Sequence, residues 1–272
     1  LLAAARPGNG ELLVLPALSG LPSGLRPDEI RSRAETHDGA FEKALSEAAR
    51  AGGGYVVGSY PERDGSEIYH TVVLAGPDGK VLGRYRATHP DSATAAWASA
   101  GDGPVVLDTP IGRVGLVTSE ELQVPEVGGL YGALRADILA APAGRPEALK
   151  VQIDAKLYAV TDPPTGRADF FPYAAAKQNQ LWLVSGGRRV GDGTAAAIYG
   201  PEPIVETPTI TAGAGDTVIR HRTRVPAPGT WINQQQLIAG QQALLFVPLV
   251  MPEASDCLAQ WRASGSGTLS CR

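Results

Sequence analysis

Four short runs of almost unbroken apolar residues constrain this chain more than any other feature: Leu12 to Leu15, Tyr55 to Val57, Val114 to Val117 and Leu181 to Val184. A strand tolerates apolar residues at consecutive positions only when both of its faces are covered. These runs are therefore expected to be buried strands of two facing sheets. Between the first two, Ile30, Ala34, Phe41, Leu45 and Ala49 recur at helical spacing from Pro27 to Gly52. Pro27 suits a first helical turn, where its missing N–H costs nothing, and Gly52-Gly53-Gly54 supplies the stop. Glu67 to Ala75 and Val81 to Arg86 flank Pro77-Asp78-Gly79, and Val105 to Leu107 and Val114 to Thr118 flank Pro110-Ile111-Gly112. Each pair reads as a hairpin. Helix is expected again at Val127 to Arg135 and up to Gln180 from Ala174, and strand at Ile138 to Ala141, Ile198 to Val205 and Thr217 to Arg224. Helices alternating with buried strands and hairpins describe a layered α/β fold with a mixed sheet.

Composition narrows the class. A hydrophobic share of 43% is enough for a sizeable core, and 33 Gly with 22 Pro, lacking any three-residue period, means many turns rather than collagen. The net charge of -4 gives no electrostatic reason to expect nucleic acid or an anionic membrane surface, although Arg188, Arg189, Arg220, Arg222 and Arg224 cluster. No apolar run has the length of about 18 residues that a membrane span needs. His37, His70 and His221 are scattered, so no metal is expected, and neither glycine cluster fits a phosphate cradle, so no cofactor is expected. Val225 to Gly229 reads as a linker between a domain of residues 1–224 and a Pro/Ser/Gly-containing extension of residues 225–272. In that extension Cys257 and Cys271 either pair locally or stay as free thiols. No feature fixes the compartment, with the cytoplasm favoured.

Five segments share a pattern: Tyr69 to His89, Asp108 to Ser119, Val124 to Val127, Ala136 to Leu139 and Gln178 to Gln180. In this order and spacing they resemble the nitrilase, or carbon–nitrogen hydrolase, superfamily over residues 1–222. The resemblance implies a four-layer α-β-β-α sandwich of two mixed sheets. It also implies that any earlier element lies upstream of Glu11, so the domain is expected to lack or import its first strand. The chemistry implied is amide or nitrile hydrolysis by a thiolate nucleophile, a carboxylate base and a lysine that supports the oxyanion.

By the same resemblance the base follows the Pro that ends the first buried strand, where this chain has Ala17. The lysine follows Tyr85-Arg86, where it has Ala87; the thiol ends the Val114 strand, where it has Ser119; and a further glutamate precedes Trp97 by three, where it has Thr94. A shifted register supplies neither group, because no Cys precedes Cys257 and no Lys lies between Lys80 and Lys150. Without thiolate, base and cation together the family reaction has no machinery. Idle buried polar groups also cost stability, which favours small replacements. The expectation is thus a non-enzyme with no catalytic residues, serving a structural, assembly or regulatory role. Its partner would be another protein chain or domain, itself included, reached through Pro125 to Leu134 and the extension. Two other readings stand beside it. One is a ligand-binding module whose pocket uses His89, Ser119, Glu120 and Glu121. The other is an amide or nitrile hydrolase centred on Ser119 with His89 as its base. Alternatively Ser119 is a small filler, His89 a structural hydrogen-bonder and Glu120-Glu121 a cap on the following helix.

Overall fold

Alternation within the apolar runs decides the architecture. In this computed structural model the structure describes residues 5–144, 149–153, 156–160, 170–187, 196–201, 209–211, 218–223 and 240. The chain divides into two units, Leu1–Gln234 and Gln235–Arg272, and the two large sheets with the helices packed on them belong to the first. Cys257 and Cys271 of the extension, with Arg188, Arg189 and Arg224, lie outside the described residues.

Strand β1 (Leu12–Val14) pairs in parallel with β2 (Tyr55–Asp64), which pairs antiparallel with β3 (Glu67–Ala75), and β3 likewise with β4 (Val81–Arg86). That is a four-stranded mixed sheet. A six-stranded mixed sheet is built from β5 (Val105–Thr109), β6 (Gly112–Leu116), β7 (Ile138–Pro142), β10 (Trp182–Gly186), β11 (Ala197–Tyr199) and β12 (Thr209–Thr211). In it β6, β7 and β10 run parallel and the outer neighbours antiparallel. A separate hairpin, β8 (Leu149–Ile153) with β9 (Lys156–Val160), is inserted after β7.

The first sheet sorts its side chains by parity. Tyr55, Val57, Val72, Leu74 and Tyr85 join Val114, Leu116, Leu139, Leu181 and Leu183 of the second sheet in one core. Their sequence neighbours Val56, Val73 and Ala75 face the other way, onto Leu45 and Ala49. Those two belong to α2 (Ala40–Gly52), which follows the short α1 (Pro27–Ser32). After α3 (Ser92–Ala95), α4 (Pro125–Ala133) and α5 (Phe170–Asn179) bring Val127, Tyr131, Ala175 and Ala176 onto the second sheet. Both faces of the buried strands are covered, as a continuous apolar run requires.

Three sequence expectations change. Pro27 to Gly52 is two helices, because Glu35 leaves helical geometry to exchange backbone hydrogen bonds with Pro61 and Arg63 of β2 at 3.0 and 2.7 Å. His37 therefore sits between helices rather than in one. Residues 218–223 are irregular and mostly exposed, not a strand. Strand β11 stops at Tyr199, and residues 202–208 lie outside the described set. Within the expected partner segment, Leu130 and Leu134 are 44% and 37% exposed.

The two sheets meet in backbone contact where β10 ends. A Cβ on Gly186 would lie 2.6 Å from the Leu15 carbonyl oxygen and closer still to that of Val14. Both obstacles are main chain, which cannot rotate aside. Gly186→Ala is expected to destabilise the domain by about 2 kcal/mol, read as a lowered urea midpoint. Gly103→Ala, where an added Cβ would meet nothing within 4 Å, is the control and is expected to change little.

Candidate active site

Behind β6 the chain turns sharply. Thr118 caps a 3-10 turn, Ser119–Gln123, and Pro125 opens α4 at a position where its missing N–H is harmless. Glu121 closes the cap, accepting from the Thr118 N–H at 3.1 Å and its hydroxyl at 2.9 Å. Its other oxygen accepts from the Tyr85 hydroxyl and the Thr88 N–H, both at 2.7 Å, and from the His89 N–H at 2.9 Å. Glu121 is 1% exposed. Both oxygens are committed to the protein, so this carboxylate is a clamp between the turn and the segment after β4. Burial, with Glu121 beside it, pushes the Tyr85 phenol up and keeps it a donor.

The clamp ties the turn that begins at Ser119 to Thr88 and His89, the residues that follow Ala87. Ala17 and Ala87 are buried, the first bonded through its N–H to the Ala143 carbonyl and the second to the His70 carbonyl, each at 2.9 Å. Ser119 is partly exposed at the start of the turn. Thr94 ends the first turn of α3, its N–H held by the Asp91 carboxylate at 2.8 Å. The His89 Nδ1 lies 2.8 Å from the Thr88 hydroxyl.

Glu120 behaves unlike its neighbour. Its Oε1 accepts from the Gly144 N–H at 2.6 Å, while Oε2 is buried with no hydrogen-bond partner in the protein. A Cβ on Gly144 would lie 2.9 Å from Glu120 Oε1 and 3.9 Å from the Ala17 Cβ, so this carboxyl and the Ala17 methyl border the same space. Burial pushes the Glu120 carboxyl up to about 7; the Gly144 hydrogen bond opposes this, and Asp91 and Glu121 add to it. The position left bare at Ala17 thus has a carboxyl beside it, delivered from the turn. Gly144 and Asp91 carried no sequence signal for this role, because the meeting is tertiary.

Other sequence candidates lie elsewhere. His70, read as a surface or core-edge residue, is 5% exposed and bonded to Ser59. His37 stands 3.3 Å from Glu62, and the exposed His221 ring lies 5.7 Å from that of Trp182. Among the described residues no group of His, Cys, Asp and Glu is placed to hold a metal, and no helix is long and apolar enough to cross a membrane. A cavity of about 1040 Å³ opens between β1, the β5–β6 turn and β10, and none of Ala17, Ala87 and Ser119 lines it.

Two outcomes test these assignments. Glu121→Gln turns an amide NH₂ toward one set of donors and should cost about 3 kcal/mol in denaturant unfolding. For Glu120 the folded-state pKa of about 7 exceeds the unfolded value, so its stabilising contribution is complete below the unfolded pKa and is lost as pH rises through 7. Glu120→Gln should therefore change stability little at pH 5 and raise it by about 3 kcal/mol at pH 8.

The carbon-nitrogen hydrolase family model matches residues 1–158. The chain is 33% identical over 144 residues to omega-amidase NIT2 of Homo sapiens, covering 49% of this chain and 51% of that one. It is 28% identical over 167 residues to a nitrilase of Pyrococcus abyssi, covering 58% and 63%. It spans about half the length of the omega-amidases it matches. In fold it is similar to the amidase from Nesterenkonia sp. AN1, with a TM-score of 0.59 at 22% identity over 86% of this chain and 81% of that one. Saccharomyces cerevisiae Nit3, of the nitrilase superfamily, gives 0.57 at 20% identity over 75% and 72%. These relatives correct the expectation of a non-enzyme: the named ones are omega-amidases, a nitrilase and amidases, and they point to an enzyme. With the family model matching more than half of its length, the chain belongs to the carbon-nitrogen hydrolase family.

Proposed function

We propose that the chain hydrolyses amide carbon–nitrogen bonds, with Ser119 as nucleophile and Glu120 as the acid–base group. The observation that carries this reading is the Glu120 carboxyl beside Ala17, one oxygen held by Gly144 and the other without a partner. A group with a pKa near 7 is present in both protonation states at neutral pH, which suits taking a proton in one step and returning it in the next. In the first step the Ser119 hydroxyl oxygen attacks the amide carbon and Glu120 takes its proton. Glu120 then gives that proton to the amide nitrogen, the C–N bond breaks, ammonia or an amine leaves, and an ester remains on Ser119. Water, deprotonated by Glu120, attacks the ester, the acid is released and the proton returns to Ser119. With Ala87 where relatives by resemblance carry a lysine, oxyanion support falls to neutral donors, so turnover is slow; one lost donor is worth about 3 kcal/mol.

The test is ammonia release from a panel of short amides, omega-amides among them, by the purified chain. Release is expected, rising with pH through about 7 as Glu120 ionises. Glu120→Gln and Ser119→Ala should each lower the rate by about 100-fold or more, and the double variant should fall no further, because the two act as a unit. A folded protein that releases no ammonia from any of them, or a Glu120→Gln variant at full rate, overturns the reading.

A further inference from the structure

We infer that Ser59 and His70, which the proposed chemistry does not touch, are positioning residues: a buried hydroxyl–imidazole pair that fixes the segments carrying Ala17 and Ala87 to each other. Ser59 is fully buried on β2 and His70 is 5% exposed on β3. The Ser59 Oγ lies 2.9 Å from His70 Nε2 and accepts the Leu18 N–H at 3.0 Å. On the other side, the His70 carbonyl accepts the Ala87 N–H at 2.9 Å. The residue after Ala17 is therefore tied through a hydroxyl to the His70 ring, and the main chain of the same His70 holds the Ala87 N–H.

Leu18 needs such a hold. Its φ of 50° is left-handed, a conformation that a branched side chain does not take for free and that persists only where its surroundings impose it. A hydroxyl can accept from Leu18 and donate to His70 together, provided the imidazole is neutral with its proton on Nδ1. The groups facing His70 are Ser59 from β2, the Trp97 ring at 5.4 Å from beyond α3, and the carboxylates of Asp91 and Glu121. The carboxylates favour the charged ring, but burial outweighs them and pushes His70 down to about 4. Once protonated, the ring can only donate; the Ser59 hydroxyl loses its acceptor, and an imidazolium is left in a dry site. States that hydrate the ring break the Ser59 bridge, so the pair holds at neutral pH and releases in acid.

This inference rests on the proposed function only for its effect on rate, and backbone amide exchange decides it independently. Residue-resolved hydrogen exchange on the whole chain compares the wild type with Ser59→Ala and with His70→Asn, whose amide oxygen can still accept from Ser59 and does not titrate. At pH 7 Ser59→Ala is expected to speed exchange at both Leu18 and Ala87 at least tenfold, leaving Leu116 and Leu139 in the core unchanged. As pH falls toward 4, the wild type should lose protection at Leu18 and Ala87 before the core does, while His70→Asn keeps it until global unfolding. Unchanged exchange at either amide in Ser59→Ala overturns the inference, as does loss of protection at the same pH in wild type and His70→Asn. If the wild type hydrolyses amides, Ser59→Ala should lower kcat about tenfold with KM nearly unchanged. If it hydrolyses none, the functional reading fails while the exchange data still decide this one.

Discussion

The site depends on one buried carboxylate. Glu121, almost wholly out of water, has both oxygens filled by donors from two segments far apart in sequence. Moving a carboxylate into the interior costs several kcal/mol, and only a full set of hydrogen bonds offsets it. That demand makes the geometry cooperative. The turn after β6 and the segment after β4 cannot separate without stranding the charge, so the turn that begins at Ser119 stays tied to Thr88 and His89, which follow Ala87.

The contrast between Glu120 and Glu121 follows from the turn they share. A 3-10 turn rotates successive residues by about a third of a circle, so adjacent carboxyls point in different directions. Glu121 turns into the Thr118 cap and the Tyr85 hydroxyl, and Glu120 turns toward Gly144 and Ala17. In sequence the pair is one acidic dipeptide with a single ambiguity, ligand or cap. In space it divides: one member is structural, and the other keeps an oxygen without a partner. No periodicity could assign which is which, because a single step of rotation decides it.

The fold was far more legible than the site, for a physical reason. Strand burial is written locally: Val56 and Val73 face α2 while Tyr55, Val57, Val72 and Leu74 face the other sheet, and both requirements appear as consecutive apolar letters. The hairpin turn was equally local, since Gly79 supplies a φ of 79° and Asp78 accepts from the Lys80 N–H. What failed needed a distant partner. The helical spacing from Pro27 to Gly52 is genuine, yet β2 captures the Glu35 backbone and breaks it. His70 read as a surface or core-edge histidine, but the segment after α3 lays Trp97 against it. The site, built where loops from both sheets converge, is non-local throughout.

That separation also explains how a site can change its chemistry without losing its frame. The end of β4 is held from outside the site: Arg86 reaches back to the fully buried Glu62 at 2.5 Å, lies over the Tyr69 ring, and shares Glu62 with the Thr71 hydroxyl. One residue pair earlier, Arg84 grips the buried Glu42 of α2, which also accepts from Tyr60. Removing one partner of such a pair leaves an uncompensated buried charge, at about 3–5 kcal/mol, whereas Ala17 and Ala87 have no polar side chain and are held by backbone hydrogen bonds to Ala143 and His70. Substitution is therefore costly at Glu62, Arg86 and Glu121, whereas at Ala17 and Ala87, both buried, it strands no charge and is limited by the room for a larger side chain. A fold secured in this way keeps the place where a substrate would react while the groups that act there are free to come from a different residue.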